Sequence, residues 1–326
     1  MGLSLWKLRL SMWGTLALTI ALSTLALSII LSLIGALNVT ILAFTIGVFY
    51  LAQWLLAPYL IEAVYKVREA DSNTYGWLHE IVSRISKKSG IKKPKVMIAH
   101  VPIPNAFAYG SPLTGNRVAV TEGLLNTLNK EEIEAVLGHE IGHLVHKDVY
   151  IMMIISFLPA LLYIIGRALL FSSWFAGYGS REEENEAGLL ALIGMGAIAF
   201  HFLLQLFVLG LSRLREYYAD RHSATIVDNG ARKLQLALAK ITVASRSLAE
   251  RGVNLHAFND FRSLFIQDPS SSLSEETLAL YGDRWEIVER LKRRKLTLWD
   301  RVMEIFSTHP NLIKRLRALD ELAKGP

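Results

Sequence analysis

The sequence predicts a mainly α-helical membrane protein, with four transmembrane helices and a cytoplasmic α+β domain that contains a small β-sheet. Of the 326 residues, 52% are hydrophobic, which is too apolar for an ordinary soluble domain. Four apolar stretches are each long enough to cross a bilayer, which takes about 20 helical residues. Between the second and third stretches, short apolar runs separated by proline and glycine are typical of strands.

The first two spans are predicted at about residues 12–34 and 39–60 and form a transmembrane hairpin within residues 1–60. A signal peptide is the alternative for the first span, but its apolar core is too long and a second span follows after a short turn. Residues 149–211 contain the third and fourth spans, at about 149–171 and 189–211. An acidic external loop at residues 172–188 joins them.

Basic residues near span ends predict the topology, because Lys and Arg are retained on the cytoplasmic side. The basic residues that precede span one, follow span two and follow span four are Lys7, Arg9, Lys66, Arg68, Arg84, Lys87, Lys88, Arg213, Arg215 and Arg221. The loop at residues 172–188 has a single one, Arg181. Both termini and both large polar segments, residues 61–148 and 212–326, are therefore expected in the cytoplasm.

Composition also restricts the chemistry. Cysteine is absent, so a disulfide, a thiolate metal site and a cysteine nucleophile are excluded, and any metal must be bound by His, Asp or Glu. The net charge of +6 could suggest nucleic acid, but the basic residues cluster next to apolar runs, where they act as topology determinants. We expect the lipid bilayer as a partner and no nucleic acid.

The segment at residues 61–148 begins with the predicted sheet and ends with a helix. The runs VMIAHV, NAFAY and RVAVT lie between Lys95 and Thr121. From Asn129, a plausible N-cap, a helix follows with Glu131 and Glu132 in its first turn. Its apolar residues Ile133, Val136, Leu137 and Ile141 are expected on one side.

A His-Glu-x-x-His motif, His139-Glu140-Ile141-Gly142-His143, lies within that helix. At a spacing of four, both imidazoles lie on one helix face about one turn apart and can bind one metal ion. A carboxylate beside a zinc site can take a proton from water and pass it to a leaving amine. The motif therefore predicts a zinc peptidase with Glu140 as the base.

Catalytic zinc usually has three protein ligands, so a third donor must come from elsewhere. His146 is one candidate, but it lies roughly 10 Å further along the helix than His139. Glu216 is the other, and Asp220, four residues later, would face the same way and orient His139. If both helices continue into their spans, His143 and Glu216 each lie roughly 8 to 9 Å below the membrane.

The order of hairpin, His-Glu-x-x-His helix, span, acidic loop, span and Glu-x-x-x-Asp resembles the HtpX family of membrane zinc metalloproteases, of gluzincin type. This family is related to the type I CAAX prenyl endopeptidases. The resemblance implies one zinc per subunit, bound by His139, His143 and Glu216, and Glu140 as the catalytic base. It implies a multi-pass protein of the plasma or inner membrane.

Two further stretches match the family. Asn105-Ala106-Phe107-Ala108 resembles its substrate-binding edge strand, where a peptide backbone pairs with the sheet. His309-Pro310 with Arg315 resembles a late motif whose His and Arg contact the substrate or the developing oxyanion. Residues 249–294 contain no recognisable motif, and their length suggests a segment that gates the cleft.

The implied role is quality control under stress, by cleavage of misfolded or surplus membrane proteins on the cytoplasmic side. CAAX processing uses the same chemistry, but that pattern has more spans that enclose a chamber. The alternative from another class is a non-catalytic membrane scaffold or transporter. A transporter requires polar residues near the bilayer midplane, where His201 and Gln205 are the candidates.

Overall fold

The computed structural model describes residues 39–176, 181–251 and 284–324. The first predicted span, residues 12–34, lies outside these ranges. The chain divides into two compact units, one made of residues 1–53 and 152–208 and the other of residues 54–151 and 209–326.

Ten helices and four strands occur in the described ranges. The helices are α1 (Val39–Val64), α2 (Ser72–Lys88), α3 (Glu122–Thr127), α4 (Lys130–Val145), α5 (Asp148–Ala176), α6 (Arg181–Ile226), α7 (Gly230–Glu250), α8 (Arg284–Arg293), α9 (Leu298–Ile305) and α10 (Leu312–Ala323). The strands are β1 (Val67–Glu69), β2 (Lys95–Ala99), β3 (Ala106–Ser111) and β4 (Gly115–Thr121).

Three of these helices, α1, α5 and α6, are long and apolar enough to cross a membrane. Their candidate spans are Phe44–Val64, Asp148–Trp174 and Ala187–Ile226. They correspond to the predicted second, third and fourth spans. Residues 172–176 and 181–188, within the predicted acidic loop, are helical and extend α5 and α6.

In the first unit, α5 and α6 pack closely through glycine. A methyl group added at Gly166 would lie 2.8 Å from the carbonyl oxygen of Gly194, and one added at Gly194 would lie 2.8 Å from that of Gly166. His201 Nδ1 on α6 lies 2.7 Å from the carbonyl oxygen of Pro159 on α5. An interhelical hydrogen bond therefore accounts for this intramembrane histidine.

The second unit contains the predicted sheet, with strand order β1-β2-β4-β3. Strand β2 is parallel to β4, and the other two pairs are antiparallel. Along β4, Val118 and Val120 face a core with α2, α4 and α7, whereas Ala119 faces a second cluster with Tyr65 and Phe107. Since side chains alternate along a strand, the sheet is covered on both faces. Strand β3 lies at the edge of the sheet.

The helix that carries His143 does not continue into the third span, so that expectation is wrong. Helix α4 ends at Val145 with His146 as its C-cap, and α5 begins at Asp148. Between them Lys147 has a φ of 56°, a left-handed conformation that interrupts an α-helix. Helix α6, by contrast, runs unbroken through Leu211 to Ile226. Equal depths of His143 and Glu216 below the membrane therefore cannot be derived from helix length, because only Glu216 lies on a helix that continues into its span.

Helix α4 packs against the end of α6 through two glycines, Gly138 and Gly142. A methyl group at Gly142 would lie 3.2 Å from the Cα atom of Ala219. Ser223 on α6 donates a hydrogen bond of 2.6 Å to the carbonyl oxygen of Ala135 on α4. The two backbones are therefore held close together at the level of the His-Glu-x-x-His motif.

Candidate metal centre

Helix α4 begins as the sequence predicts. The side chain of Asn129 accepts from the backbone N–H of Glu132, and the Glu132 side chain accepts from the N–H of Asn129, which makes a capping box. The four apolar residues expected on one side are all buried, namely Ile133, Val136, Leu137 and Ile141. His139 and Glu140 of the motif are buried as well, so this part of α4 lies in the interior of its unit.

Three side chains from two helices converge at one point. The Nε2 atoms of His139 and His143 lie 3.2 Å apart. Glu216, on α6, places one carboxylate oxygen 3.6 Å from His139 Nε2 and the other 3.5 Å from His143 Nε2. One ligand atom from each residue lies within 4.8 Å of the others. His146 is not in this group, because it caps α4 below the motif.

The spacing of these atoms fits a tetrahedral metal ion. Two nitrogen ligands of tetrahedral zinc, each about 2.0–2.1 Å from the metal, lie ~3.3 Å apart. The distance of 3.2 Å between the two histidine nitrogens is close to this value, and each of these nitrogens has a different Glu216 oxygen at 3.5 or 3.6 Å. Three protein donors also leave one position of a tetrahedron open, as in catalytic zinc sites. The residues present therefore fit a zinc ion.

Charge at the centre also favours a cation. Four carboxylates and two guanidinium groups contribute, from Glu140, Asp148, Glu216, Asp220, Arg215 and Arg315. With neutral imidazoles this leaves two negative charges, which a divalent cation balances. Such compensation is needed because an unpaired buried charge is costly.

Each imidazole has its own carboxylate on the ring nitrogen that faces away from the centre. His139 Nδ1 lies 2.9 Å from Asp220 Oδ1, the contact that the Glu-x-x-x-Asp spacing predicts. Arg315 in turn donates two hydrogen bonds to Asp220, from Nε over 2.9 Å and from Nη2 over 2.6 Å. A carboxylate in this position fixes the ring orientation and tautomer of a metal-binding histidine.

The equivalent contact of the second histidine was missed in the sequence. His143 Nδ1 lies 2.6 Å from Asp148 Oδ2, and Arg215 forms an ion pair with the same carboxylate. Arg215 also donates to the carbonyl oxygen of His146, the C-cap of α4. The available signal was the general need of a ligating histidine for an acceptor, which favours a carboxylate a few residues away.

Glu140 lies beside β3, the edge strand of the sheet in the described part of the chain. It is 4% exposed, and its Oε2 accepts a hydrogen bond of 2.9 Å from the backbone N–H of Ala108 on β3. Burial raises the pKa of Glu140, against the opposing effect of His139 and His143. The arrangement brings a buried carboxyl group, the two imidazoles and a strand edge together.

The two imidazoles differ in their affinity for a proton. Burial alone would lower the pKa of His139, but the carboxylates of Asp220 and Glu216 outweigh burial and raise it to about 9. Burial and the neighbouring His139 lower the pKa of His143. Of the two imidazoles, His139 therefore has the higher affinity for a proton.

The late motif also reaches the centre. His309 is buried, and its Nδ1 lies 3.3 Å from Glu216 Oε2. Arg315, on α10, is 1% exposed and places Nη1 3.3 Å from the same oxygen. Two carboxylates keep the pKa of Arg315 raised despite its burial. The structure thus brings both residues to Glu216, and Arg315 compensates two buried carboxylates.

Asn105 immediately precedes the edge strand, which begins at Ala106. It is 1% exposed, and its backbone is paired with Thr121 in both directions, through Thr121 Oγ1 and Thr121 N. Ala106 and Phe107 are buried in the two cores, and Ala108 is the partly exposed member of the predicted segment. Within this segment, the contact with the motif is made by the backbone of Ala108.

Comparison with known proteins agrees with this geometry. Residues 72–323 match the model of Peptidase family M48. A protein named protease HtpX homolog from Aeropyrum pernix is 42% identical over 84% of this chain and 83% of its own length. Protease HtpX homolog 2 of Saccharolobus solfataricus is 39% identical over 98% of both chains.

A third relative and one solved structure extend the comparison. The protease HtpX homolog of Thermoplasma acidophilum is 37% identical over 98% of this chain and 99% of its own. The crystal structure of S. mikatae Ste24p has the same fold, with a TM-score of 0.54 at 18% identity, and the match covers 97% of this chain and 66% of that longer one.

The predicted resemblance is confirmed by these matches, which include the His-Glu-x-x-His helix, Glu216 and the late motif within the family region. Helices long enough to span a membrane accompany a site that could hold a metal ion. The chain is thus a membrane metalloprotease and belongs to Peptidase family M48.

Proposed function

We propose that the protein is a zinc-dependent endopeptidase that hydrolyses peptide bonds on the cytoplasmic side of the plasma or inner membrane. One observation carries this proposal: His139, His143 and Glu216 present donors within 4.8 Å of one another, next to the Glu140 carboxyl group and an open strand edge. The four-part organisation belongs to the proposal, with a hairpin at residues 1–60, cytoplasmic parts at 61–148 and 212–326, and spans within 149–211.

Substrate binding would use the free edge of β3. In an antiparallel pair, alternate residues direct their N–H and C=O groups away from the partner strand. Ala108 does so, because its N–H bonds to Glu140 and not to β4. By the same alternation the backbone groups of Gly110 also face away from β4, and Gly110 is partly exposed, whereas Ala106 is buried. An extended peptide that adds to the sheet at Ala108 would replace Glu140 as the partner of the Ala108 N–H, which places the peptide backbone alongside Glu140.

Glu140 is proposed as the general base. When bound, a zinc ion supplies Lewis-acid chemistry, which polarises a carbonyl group and makes water more acidic. The Glu140 carboxylate takes a proton from the attacking water and later donates it to the leaving amine. The raised pKa of this buried group favours the second role, because a carboxyl group that holds its proton can act as an acid.

His309 is the proposed contact for the developing oxyanion. Its ring lies beside Glu216, at the centre, and a histidine there can donate a hydrogen bond to a carbonyl oxygen that gains negative charge. Arg315 is proposed to support this region by holding Asp220 and Glu216 in place. Asn105 is proposed to fix the start of the substrate-binding strand through its backbone pairing with Thr121.

Misfolded or surplus membrane proteins are the proposed substrates, in protein quality control under stress. Recognition through backbone groups favours chains with an exposed extended segment, because a folded protein has few unpaired backbone groups. Basic residues after the second and fourth spans support a cytoplasmic site, since these residues are retained on that side. Most of the segment 249–294, for which the sequence suggests gating, lies outside the described residues, because residues 252–283 are not described.

The test is digestion of an unfolded model protein by the detergent-purified wild type and the Glu140→Gln variant, with zinc quantified in both. Wild type is expected to contain one zinc per chain and to cleave. The variant is expected to retain zinc without cleaving, because the glutamine amide cannot accept the proton. His143→Ala is the matched control that should lose the metal as well.

Zinc-free wild type that is folded and inactive would favour a membrane scaffold and reject the proposal. If Glu140→Gln cleaves as well as wild type, Glu140 is not the base, although the assignment of the metal ligands would stand. The orientation would be tested in the reconstituted protein. If protease or substrate reaches the metal centre only from the external side of the membrane, the cytoplasmic orientation is wrong.

A further inference from the structure

Helix α9 exposes its apolar side. The five apolar residues at helical spacing are all exposed, namely Leu298, Trp299, Val302, Ile305 and Phe306. Leu298 is 79% and Trp299 63% accessible. Within the ranges the structure describes, α9 has no buried residue. A single exposed leucine is ordinary on a protein surface, but a contiguous stripe of this kind marks an interaction site.

The polar side of α9 is the side that holds it to the protein. Glu304 forms an ion pair with Lys314 on α10 and accepts a hydrogen bond of 3.1 Å from the N–H of Asn311. Asp300 completes a capping box with Thr297. A helix on the surface of a soluble protein has the opposite orientation, with its apolar stripe towards the core. The orientation of α9 thus requires an apolar environment outside the described protein.

Charge next to the stripe is strongly positive. Residues 292–301 contain five basic side chains, Lys292, Arg293, Arg294, Lys295 and Arg301, and one acidic side chain, Asp300. Arg293, Lys295 and Arg301 are exposed. On the helix, Arg301 lies at the border of the apolar stripe, where a long side chain can extend to the headgroup region. Tryptophan is itself enriched at membrane–water interfaces.

Arg213 fixes the position of α9 along α6. No charged residue occurs from Ala187 to Ser212, so Arg213 is the first charge after the apolar part of α6. Its Nη1 donates to the carbonyl oxygens of Ile305 over 3.0 Å and Ser307 over 2.8 Å. The end of α9 is therefore tied to the point at which α6 leaves its apolar run, which is where a spanning helix reaches the headgroups.

We propose that α9 is an interfacial membrane helix, with its Leu298, Trp299, Val302, Ile305 and Phe306 side in the acyl region and the adjoining basic residues on anionic lipid headgroups. Three features of α9 are typical of helices that lie in the plane of a bilayer surface. They are its exposed apolar stripe, the basic residues beside it and its position next to Arg213. The metal centre takes no part in the inference, which rests on the membrane character of the chain.

Because the chain has no cysteine, single thiols can be introduced without a background. The full-length protein with Val302→Cys would be nitroxide-labelled and reconstituted into vesicles of mixed phosphatidylcholine and phosphatidylglycerol. Accessibility to oxygen, which partitions into lipid, and to a water-soluble nickel chelate would be measured. Phe306→Cys on the same stripe is the second variant, in case the first does not fold.

Two further labels calibrate the depth scale. Phe202→Cys lies in the apolar part of α6, where the side chain is 59% exposed. Asp228→Cys follows the end of α6, about 20 Å beyond Arg213 along the helix axis, and the Asp228 side chain is 94% exposed. The labels at Val302 and Phe306 are expected to be oxygen-accessible and nickel-protected, at ~5–10 Å below the headgroup boundary.

Nickel accessibility at Val302 equal to that at Asp228 would overturn the proposal, because the stripe would then face water. Low accessibility to both reagents would also overturn it, since protein, either another part of this chain or a second copy, would then cover the stripe. Vesicles of phosphatidylcholine alone, or the change Arg293→Glu with Lys295→Glu, should bring the label closer to water. If the depth of the label is unchanged both in phosphatidylcholine vesicles and in the charge-reversed variant, the basic residues do not contact anionic headgroups, and that part of the proposal is wrong.

Discussion

His143 and Asp148 meet across the break between two helices, with His143 Nδ1 2.6 Å from Asp148 Oδ2. The left-handed Lys147 makes this contact possible, because it turns the chain so that the first residue of α5 lies back beside α4. The resulting chain His143–Asp148–Arg215 parallels His139–Asp220–Arg315. Each of the two imidazoles of the candidate metal centre thus has a carboxylate, and each carboxylate has an arginine.

Asp148→Asn is expected to weaken zinc binding about 10- to 100-fold, the usual cost of removing an acceptor behind a ligating histidine. The amide keeps the shape of the side chain, but its interaction with both the imidazole and Arg215 is weaker. Competition with a chromophoric chelator would measure the affinity. Asp228→Asn, at an exposed carboxylate, is the control. An affinity equal to wild type would show that His143 is oriented by its packing alone.

Arg315→Met is expected to lower the free energy of unfolding by about 3–5 kcal/mol, because two carboxylates would remain buried without their cation. Arg315→Lys should cost less but should not be neutral, since lysine cannot make the bidentate contact with Asp220. Thermal unfolding in detergent would compare both with Arg317→Lys, at an exposed arginine on the same helix. Equal midpoints for all three would contradict the assigned role of Arg315.

Gly142→Ala is expected to reduce both zinc affinity and thermal stability, because the added methyl group would lie 3.1 Å from His222 Cβ and 3.2 Å from the backbone of Ala219. Relief of this contact requires α4 and α6 to move apart, which separates His143 from Glu216. Gly76→Ala is the matched control, since nothing lies within 4 Å of its added methyl group. There alanine should be neutral or stabilising, by up to about 1 kcal/mol. The same small effect at both positions would show that the close approach is not required.

Peptide substrates with N-methylated amides are expected to be cleaved more slowly if the substrate backbone pairs with the edge strand β3. Methylation at alternate residues removes the donors that strand addition needs, so kcat/KM should fall about tenfold or more when the methylated residues face β3. A peptide methylated in the other register is the control, because those amides would face away from the strand. Equal cleavage of the two peptides would argue against backbone pairing at Ala108.

Local spacing was sufficient to predict most of the metal centre. His139 and His143 are one helical turn apart, Glu216 and Asp220 repeat that interval on a second helix, and the structure brings the first three together. Helix α4 was also predictable, because Asn129, Glu132 and the apolar stripe are all local signals of a helix start.

Contacts that depend on one unusual dihedral angle or on distant residues could not be predicted in this way. A lysine with a positive φ has no sequence signature, so the break at Lys147 and the return of Asp148 to His143 were missed. Arg315 was assigned to substrate by resemblance, whereas its partner Asp220 lies 95 residues earlier and is recognised from the tertiary structure alone. The outward stripe of α9 was not identified because an amphipathic pattern does not reveal which side meets the protein.

The distance of 95 residues between Asp220 and Arg315 has a consequence for biosynthesis. When the chain has been translated through α7, His139, His143 and Glu216 have been synthesised, but the arginine that neutralises the buried carboxylates has not. The active centre can therefore mature only after α10 docks. Completion of the centre is thus coupled to the docking of a helix that is translated after α7, α8 and α9.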